Sequence, residues 1–195
     1  MLSQPLNPLE RGVTNSSENE KEVECITSEI LTNQPGLLQQ FAVIYCQAFQ
    51  APPYNELITQ AEAEEAILHL SEHILLASFQ NNELAGGVGG YITSEDQKKI
   101  PQVEGVEFYL AELFVSPNIQ KKGHGTRLMS EIINKVRKRA DYITLRTSAN
   151  PLNPATQIYR NLGFVDTGKR ELVETLKNTN EKELDERAYF TKKLS

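Results

Sequence analysis

The sequence predicts an α/β fold, a mixed and mostly antiparallel central sheet with helices on both faces. Two observations predict it. The elements read in the order β-α-α-β-β-β-α-β-α-β-β, and the strand-helix-strand units of the second half call for parallel pairing, whereas the early and late hairpins call for antiparallel pairing. The chain has 195 residues, 39% hydrophobic and 24% charged, enough for one domain with a real core but cramped for two.

Residues 1–20 are rich in Ser, Asn, Pro and Glu and are expected to form a disordered tail, leaving 21–195 as a single domain. From Pro35, Leu37, Leu38, Phe41, Ile44, Tyr45 and Ala48 recur on one stripe, a helical pattern that Pro52 and Pro53 stop. A second helix is expected from "NELITQAEAEEAILHLSEH", with Asn55 as its cap. "ILLASFQ", a turn at Asn81-Asn82 and "ELAGGVGGYI" read as a hairpin. Its second strand holds Gly86, Gly87, Gly89 and Gly90, which implies that something approaches that backbone closely.

"VEFYLAELFV" is the strongest strand. Val106, Phe108 and Leu110 alternate on one parity while Leu113 and Val115 continue on the other, so either both faces are covered or a bulge near Ala111-Glu112 shifts the register. Leu128, Met129, Ile132, Ile133 and Val136 then mark a helix, with basic residues in its last turn. "YITLRTS", the helix "ATQIYRNLG", a strand beginning "FVDTG", the segment "ELVETLK" and the strand "RAYFTKKL" complete the order.

Net charge of -6 argues against nucleic acid as the main partner and for a cationic acceptor. Cys25 and Cys46 form neither a disulfide framework nor a metal spacing, which suits a reducing compartment. No apolar run is long enough to span a bilayer, and the first residues lack the pattern of a signal peptide. The expectation is a cytoplasmic protein without a membrane partner; a homodimer stays open.

Four features carry chemistry. In "NIQKKGHGTRLM", Gly123 and Gly125 flank His124 where a helix begins, behind Lys121 and Lys122. Exposed N–H groups and the positive end of the dipole make such a place either an anion seat or an ordinary turn. It is no P-loop, since no Gly-Lys-Ser/Thr follows. Glu112 is a carboxylate in an apolar strand: a salt-bridge partner, or a base with a raised pKa. Read alone, Tyr159 in "IYRNLGF" is a packing residue. His69, Glu72 and His73 fit the H-x-x-E-H zinc pattern, yet Glu62, Glu65, His69 and Glu72 also form the polar stripe of an amphipathic helix, and that solvated face is the preferred reading.

Together, "LFVSPNIQKKGHGTRLM" and "IYRNLGF" resemble the GNAT superfamily of acyl-CoA N-acyltransferases, whose core motif is Q/R-x-x-G-x-G/A between a strand and a helix. The resemblance is specific from Tyr109 to Phe164. It implies the GNAT fold and acetyl-CoA as co-substrate, with no metal. Backbone groups of Leu113, Phe114 and Val115 would pair with the pantetheine arm. Those around Gln120, Lys121, Lys122, Gly123, His124, Gly125 and Thr126 would hold the pyrophosphate. Tyr159 falls where the family protonates the leaving thiolate, and Glu112 near positions that accept the acceptor's proton. Where the family often has Asn, seven residues before the tyrosine, this chain has Leu152; Asn150 and Asn153 flank it, so a cofactor contact shifts, with Asn153 the candidate, or is absent.

The chemistry implied is acetyl transfer to a primary amine of a small molecule by direct transfer in a ternary complex, with a peptide N-terminus or lysine as alternative acceptors. An amine with a pKa of about 10.4 must lose a proton to attack, and general-base help gives ~100- to 10,000-fold. The thioester oxygen gains charge and needs a donor, and the departing thiolate gains from a nearby phenol. Tyr54 and Glu56, in the stretch from Pro35 to His73, are the expected acceptor contacts. A non-catalytic acyl-CoA-binding module and a zinc hydrolase at His69, Glu72 and His73 are the rival readings.

Overall fold

A computed structural model describes residues 21–100 and 103–194; the tail expected over residues 1–20 lies outside them. Strand β1 (Lys21–Ile26) leads into a short helix, α1 (Ser28–Asn33), whose Ile30 N–H is accepted by the Thr27 hydroxyl. That helix is too short to show a hydrophobic period, so the sequence pattern does not announce it. Helix α2 (Pro35–Gln50) starts on a proline and buries Phe41, Tyr45 and Ala48 of the predicted stripe together with Ala42, which the stripe did not include.

Helix α3 (Gln60–Ser71) corrects one expectation. Its cap is Thr59 rather than Asn55: Thr59 and Glu62 form a reciprocal capping box, the Thr59 N–H donating to the Glu62 carboxylate at 2.8 Å. Asn55 instead takes a left-handed conformation, with φ 51. Glu56 forms a bridge to Lys177, and the Leu57 N–H donates to the Leu176 carbonyl at 2.7 Å. Those distant contacts hold the loop and delay the helix by about a turn.

Strands β2 (Ile74–Gln80) and β3 (Glu83–Ile92) form the predicted hairpin, with Asn81 and Asn82 at φ 53 and 63 as a tight two-residue turn requires. β4 (Glu107–Val115), α4 (His124–Val136), β5 (Tyr142–Ser148) and α5 (Pro154–Asn161) follow. The chain ends in a hairpin of β6 (Val165–Leu176) and β7 (Lys182–Lys193), longer than the apolar segments suggest because most of β6 is exposed.

The sheet order is β1-β2-β3-β4-β5-β7-β6. Among the described residues only β4 and β5 pair in parallel; every other neighbouring pair of strands is antiparallel. One strand-helix-strand unit departs from the expectation of parallel pairing: β7 inserts between β5 and β6, so those two do not pair. Helices α4 and α5 cover one face, over Phe108, Leu110, Ile143 and Leu145. Helices α2 and α3 cover the other, over Leu75, Ala77 and Phe114. What approaches the glycines of β3 is the protein itself: a Cβ on Gly90 would collide with the Tyr109 carbonyl and sit 2.9 Å from the Leu110 Cα. Among the described residues, no helix is long and apolar enough to cross a membrane.

Candidate active site

The site begins with a fault in β4. Gly89 of β3 faces Glu112, yet Gly90 faces Leu110, so Ala111 is an extra residue and β4 bulges there. This is the parity switch visible in the sequence, and both faces of the strand are also covered. On the other edge, pairing with β5 stops at Leu110 opposite Leu145, while β5 continues along β7 as far as Ser148 opposite Arg187. Past Leu110 the two central strands therefore part into a fork. The β5-facing edge of β4 from Glu112 to Val115 loses its strand partner, and its backbone groups need others. The Gln120 side-chain amide reaches one of them, donating to the Val115 carbonyl at 3.3 Å.

Beyond that edge lies the amino end of α4. Lys121 and Gly123 both take positive φ, 63 and 86, in the turn before it, and the N-cap Gly123 supplies no side-chain cap. The first-turn N–H groups find no intrahelical carbonyl, and the helix dipole adds partial positive charge there. Gln120, Lys121, Lys122, Gly123 and Thr126 are exposed around this end. His124 is not: its ring is 1% exposed, with Nδ1 2.8 Å from Ser78 Oγ and Nε2 3.1 Å from Gln80 Oε1. The expected contribution of His124 to cofactor binding is thus limited to its backbone, because the side chain pins α4 to β2. A Cβ on Gly125 would stand 3.2 Å from Ile158, so that glycine sets the contact of α4 with α5.

At the fork, α5 and the α2–α3 loop bring in polar groups. Asn153 caps α5 by accepting from the Ala155 N–H at 3.1 Å, and its Oδ1 also accepts the Tyr54 hydroxyl at 3.0 Å. Its Nδ2 donates to Thr147 Oγ1 at 2.7 Å and to the Ser148 carbonyl at 3.2 Å. With all four positions of the amide used and the residue 3% exposed, Asn153 has no spare side-chain group for a cofactor. It positions Tyr54 and Thr147 instead. Leu152, where the family often has Asn, is 79% exposed.

Tyr159 is buried, and its hydroxyl lies within hydrogen-bonding reach of Thr147. Burial, reinforced by the nearby Tyr54 and Glu112, raises its pKa well above the usual phenol value, so it is a neutral donor at any physiological pH. Burial likewise pushes the Glu112 carboxyl up to about 7; the Tyr45 hydroxyl bonded to it, Arg146 and Arg187 oppose that rise, while Glu56 adds to it. Glu56 itself is held by Arg187 at 2.6 Å. The structure thus gathers Glu112, Tyr159, Tyr54 and Glu56 around one fork, although Tyr54 precedes Glu112 by 58 residues and Tyr159 follows it by 47. Leu113 and Val115 pack their side chains toward α4 and α5, and Phe114 packs on Phe41 and Tyr45 at ring distances of 6.2 and 5.2 Å, leaving only backbone at the open edge.

The sequence reading missed four members of this neighbourhood: Tyr45, Thr147, Arg146 and Arg187. Tyr45 was visible only as part of a core stripe. Arg146 carried a signal, a cation in the middle of "YITLRTS". His69 and His73 lie together, ring centres 5.0 Å apart, but gather no third His, Cys, Asp or Glu into a metal cluster among the described residues.

The sequence model of the acetyltransferase (GNAT) family matches residues 38–164, which span the fork, the α4 amino end and α5. The chain belongs to the GNAT acetyltransferase family. It is accordingly an N-acetyltransferase that uses acetyl-CoA as co-substrate. Solved structures share the fold at low identity. The ribosomal-protein-S18-alanine N-acetyltransferase of Escherichia coli is 14% identical, with a TM-score of 0.62 over 90% of this chain and 95% of that one. NAA60 of Arabidopsis thaliana, solved with a bisubstrate analogue, is 16% identical, with a TM-score of 0.64 over 89% and 98%. The Salmonella typhimurium protein yncA, solved with its cofactor acetyl-CoA, is 16% identical, with a TM-score of 0.60 over 91% and 95%. No curated protein matches the chain.

Proposed function

We propose that this GNAT protein acetylates a primary amine of a small molecule by direct transfer within a ternary complex. The observation that carries the proposal is the fork at Ala111, which leaves the Glu112–Val115 edge without a strand partner, with Glu112 on that edge and Tyr159 within its electrostatic reach. Acetyl-CoA supplies an activated acetyl group as a thioester. The open edge of Leu113, Phe114 and Val115 would hold its amide-bearing arm, and the N–H groups from Gln120 to Thr126, with Lys121 beside them, its pyrophosphate.

Glu112 takes the proton from the acceptor's ammonium group, and the neutral amine then attacks the thioester carbonyl. A carboxylate with a pKa of about 7 is half ionised at neutral pH and matched to that task. An N–H of the open β4 edge faces the oxygen that gains charge during attack. Tyr159, kept neutral, gives its proton to the departing thiolate. Direct transfer is favoured because neither described cysteine resembles an activated nucleophile: Cys25 stands exposed on the edge strand, and burial pushes the Cys46 thiol up.

A small acceptor is favoured by the tie across the site. The α2–α3 loop is bonded to the β6–β7 hairpin through Leu57 to Leu176 at 2.7 Å, Asn178 to Asn55 at 3.0 Å and Arg187 to Glu56 at 2.6 Å. A side chain on a folded protein would have to thread past this strap. The test is CoA release from acetyl-CoA across a panel of small amines, free peptides and lysine-bearing proteins. Turnover confined to peptides or proteins removes the small-molecule reading, and absence of CoA binding by folded protein removes the whole proposal.

A further inference from the structure

We infer that the acceptor bears a carboxylate as well as its amine, and that Arg146 receives that carboxylate. The inference rests on acetyl transfer at the fork.

The face of the sheet that carries Glu112 is only partly roofed. On that face α2 and α3 lie over β2, β3 and β4, and the side chains of β5 and β7 extend the floor beyond them. Arg146 of β5 and Tyr189 of β7 stand opposite each other in register; Tyr109 of β4 pairs with Thr144, two residues before Arg146, so all three point to the same side. Tyr91 continues the floor, 5.7 Å from Tyr109 ring to ring. Lys99 Nζ lies 4.9 Å from the Tyr109 ring centre, and Lys169 Nζ 4.2 Å from that of Tyr189. Lys169 also donates to the Lys99 carbonyl at 2.8 Å, closing that end of the groove.

Arg146 is the centre of this floor, bonded to Glu171 and within hydrogen-bonding reach of Tyr189. Its Nη1 donates to Glu171 Oε2 at 3.2 Å, and the same oxygen accepts the Tyr189 hydroxyl. The side chain remains 36% exposed, so much of a five-donor fork suited to a carboxylate stays open to solvent.

The charges along the groove have a direction. At the closed end Arg146, Lys99 and Lys169 outnumber Glu171 and the fully buried Glu107, whose carboxylate already accepts the Thr93 hydroxyl and the Lys99 N–H, each at 2.9 Å. At the fork, Glu112, Glu56 and Asp185 outnumber Arg187 and Lys177. Leu110 pairs with Leu145, so Glu112 and Arg146 lie within two residues of the last paired position on neighbouring strands, a span one small molecule can cover. Lys99 and Lys169 cover the rings of Tyr109 and Tyr189, so a compact acceptor fits this field by spanning from Glu112, with its amine, to the open side of Arg146, with its anion.

The experiment compares kcat/KM for ω-amino acids with alkylamines of matched length. Wild-type protein is expected to favour the carboxylated member by about 10- to 100-fold, the range of a charge-assisted hydrogen bond. Arg146→Gln should bring that ratio near one, chiefly through KM for the carboxylated amine. Arg146→Lys should keep part of it, since a point charge replaces the fork, and it carries the test should the Gln variant not fold. Equal rates in wild type, or a ratio that survives Arg146→Gln, overturns the inference while leaving acetyl transfer intact. Preference for an acidic peptide over every ω-amino acid overturns the small-molecule occupant. Binding of CoA without turnover of any amine removes the acetyl-transfer reading and this inference with it.

Discussion

Glu112→Gln should make the protein more stable and less active at the same time, with opposite dependences on pH. Gln has nearly the shape of the protonated carboxyl but cannot ionise. Burial pushes the Glu112 carboxyl from its usual 4.5 up to about 7, so the folded chain holds this proton more tightly than the unfolded chain. Stability from this group is therefore fully present below about pH 4.5 and is lost as pH rises through about 7. At about 1.4 kcal/mol per pH unit the ceiling is about 3 kcal/mol, and screening of a half-buried group reduces it to about 1–2 kcal/mol. Urea unfolding followed by far-UV circular dichroism, the natural probe for a chain with no tryptophan, measures the gap. The variant should gain on wild type from pH 4.5 to pH 8.5 and then level off. Activity should run the other way: wild-type kcat/KM climbs through about pH 7, and the variant loses ~100- to 10,000-fold. A stability gap that stays flat or narrows as pH rises would refute the reasoning about burial, and an unimpaired variant would refute the role as base.

Tyr159→Phe should lower kcat by about 100-fold or more while calorimetry finds CoA affinity within about twofold; a parallel loss of affinity would place Tyr159 in binding instead. His124→Ala removes a buried ring and leaves the fully buried Ser78 without its partner, so the urea midpoint should fall by the equivalent of about 2–4 kcal/mol; a loss below about 1 kcal/mol contradicts the pinning role. Gly90→Ala drives a methyl group onto the Tyr109 carbonyl beside the bulge and should cost about 2 kcal/mol or more, with turnover falling too; an unchanged thermal midpoint would show that β4 can yield there.

What the sequence disclosed was what local chemistry decides. The β2–β3 hairpin is written in Asn81-Asn82, α4 in the recurrence from Leu128 to Val136, and the bulge in the parity switch between Leu110 and Leu113. Long-range contacts decided the rest. Thr59 displaced Asn55 as cap because Leu57 bonds to Leu176, a partner more than a hundred residues away. The place of β7 between β5 and β6 depends on a sheet edge that no local pattern records. His124 was legible as a position that offers backbone to a cofactor, but the engagement of both its ring nitrogens by Ser78 and Gln80 was not. Asn153 was legible as a polar residue near the site, but its hydrogen-bond capacity could be counted only once Tyr54 and Thr147 were placed around it.

The fork joins stability to function through a single missing ladder. Ending the β4–β5 pairing at Leu110 leaves the following backbone groups without a strand partner, and each needs another donor or acceptor or contact with water. A continuous parallel sheet would satisfy them and close the site. The open form is instead supported by contacts beside the reacting centre. Gly90 lets β3 and β4 pack closely at the bulge, Phe114 locks against Phe41 and Tyr45, and the loop at Asn55–Leu57 is bonded to the hairpin at Leu176–Asn178. Because those contacts carry the structure, Glu112 can remain a carboxyl with a raised pKa and Tyr159 a buried phenol without a full ion pair on either. Substitutions in the supporting contacts should therefore lower stability and turnover together, whereas Glu112→Gln separates the two. That difference in sign marks Glu112 as a group the fold keeps at a cost in stability.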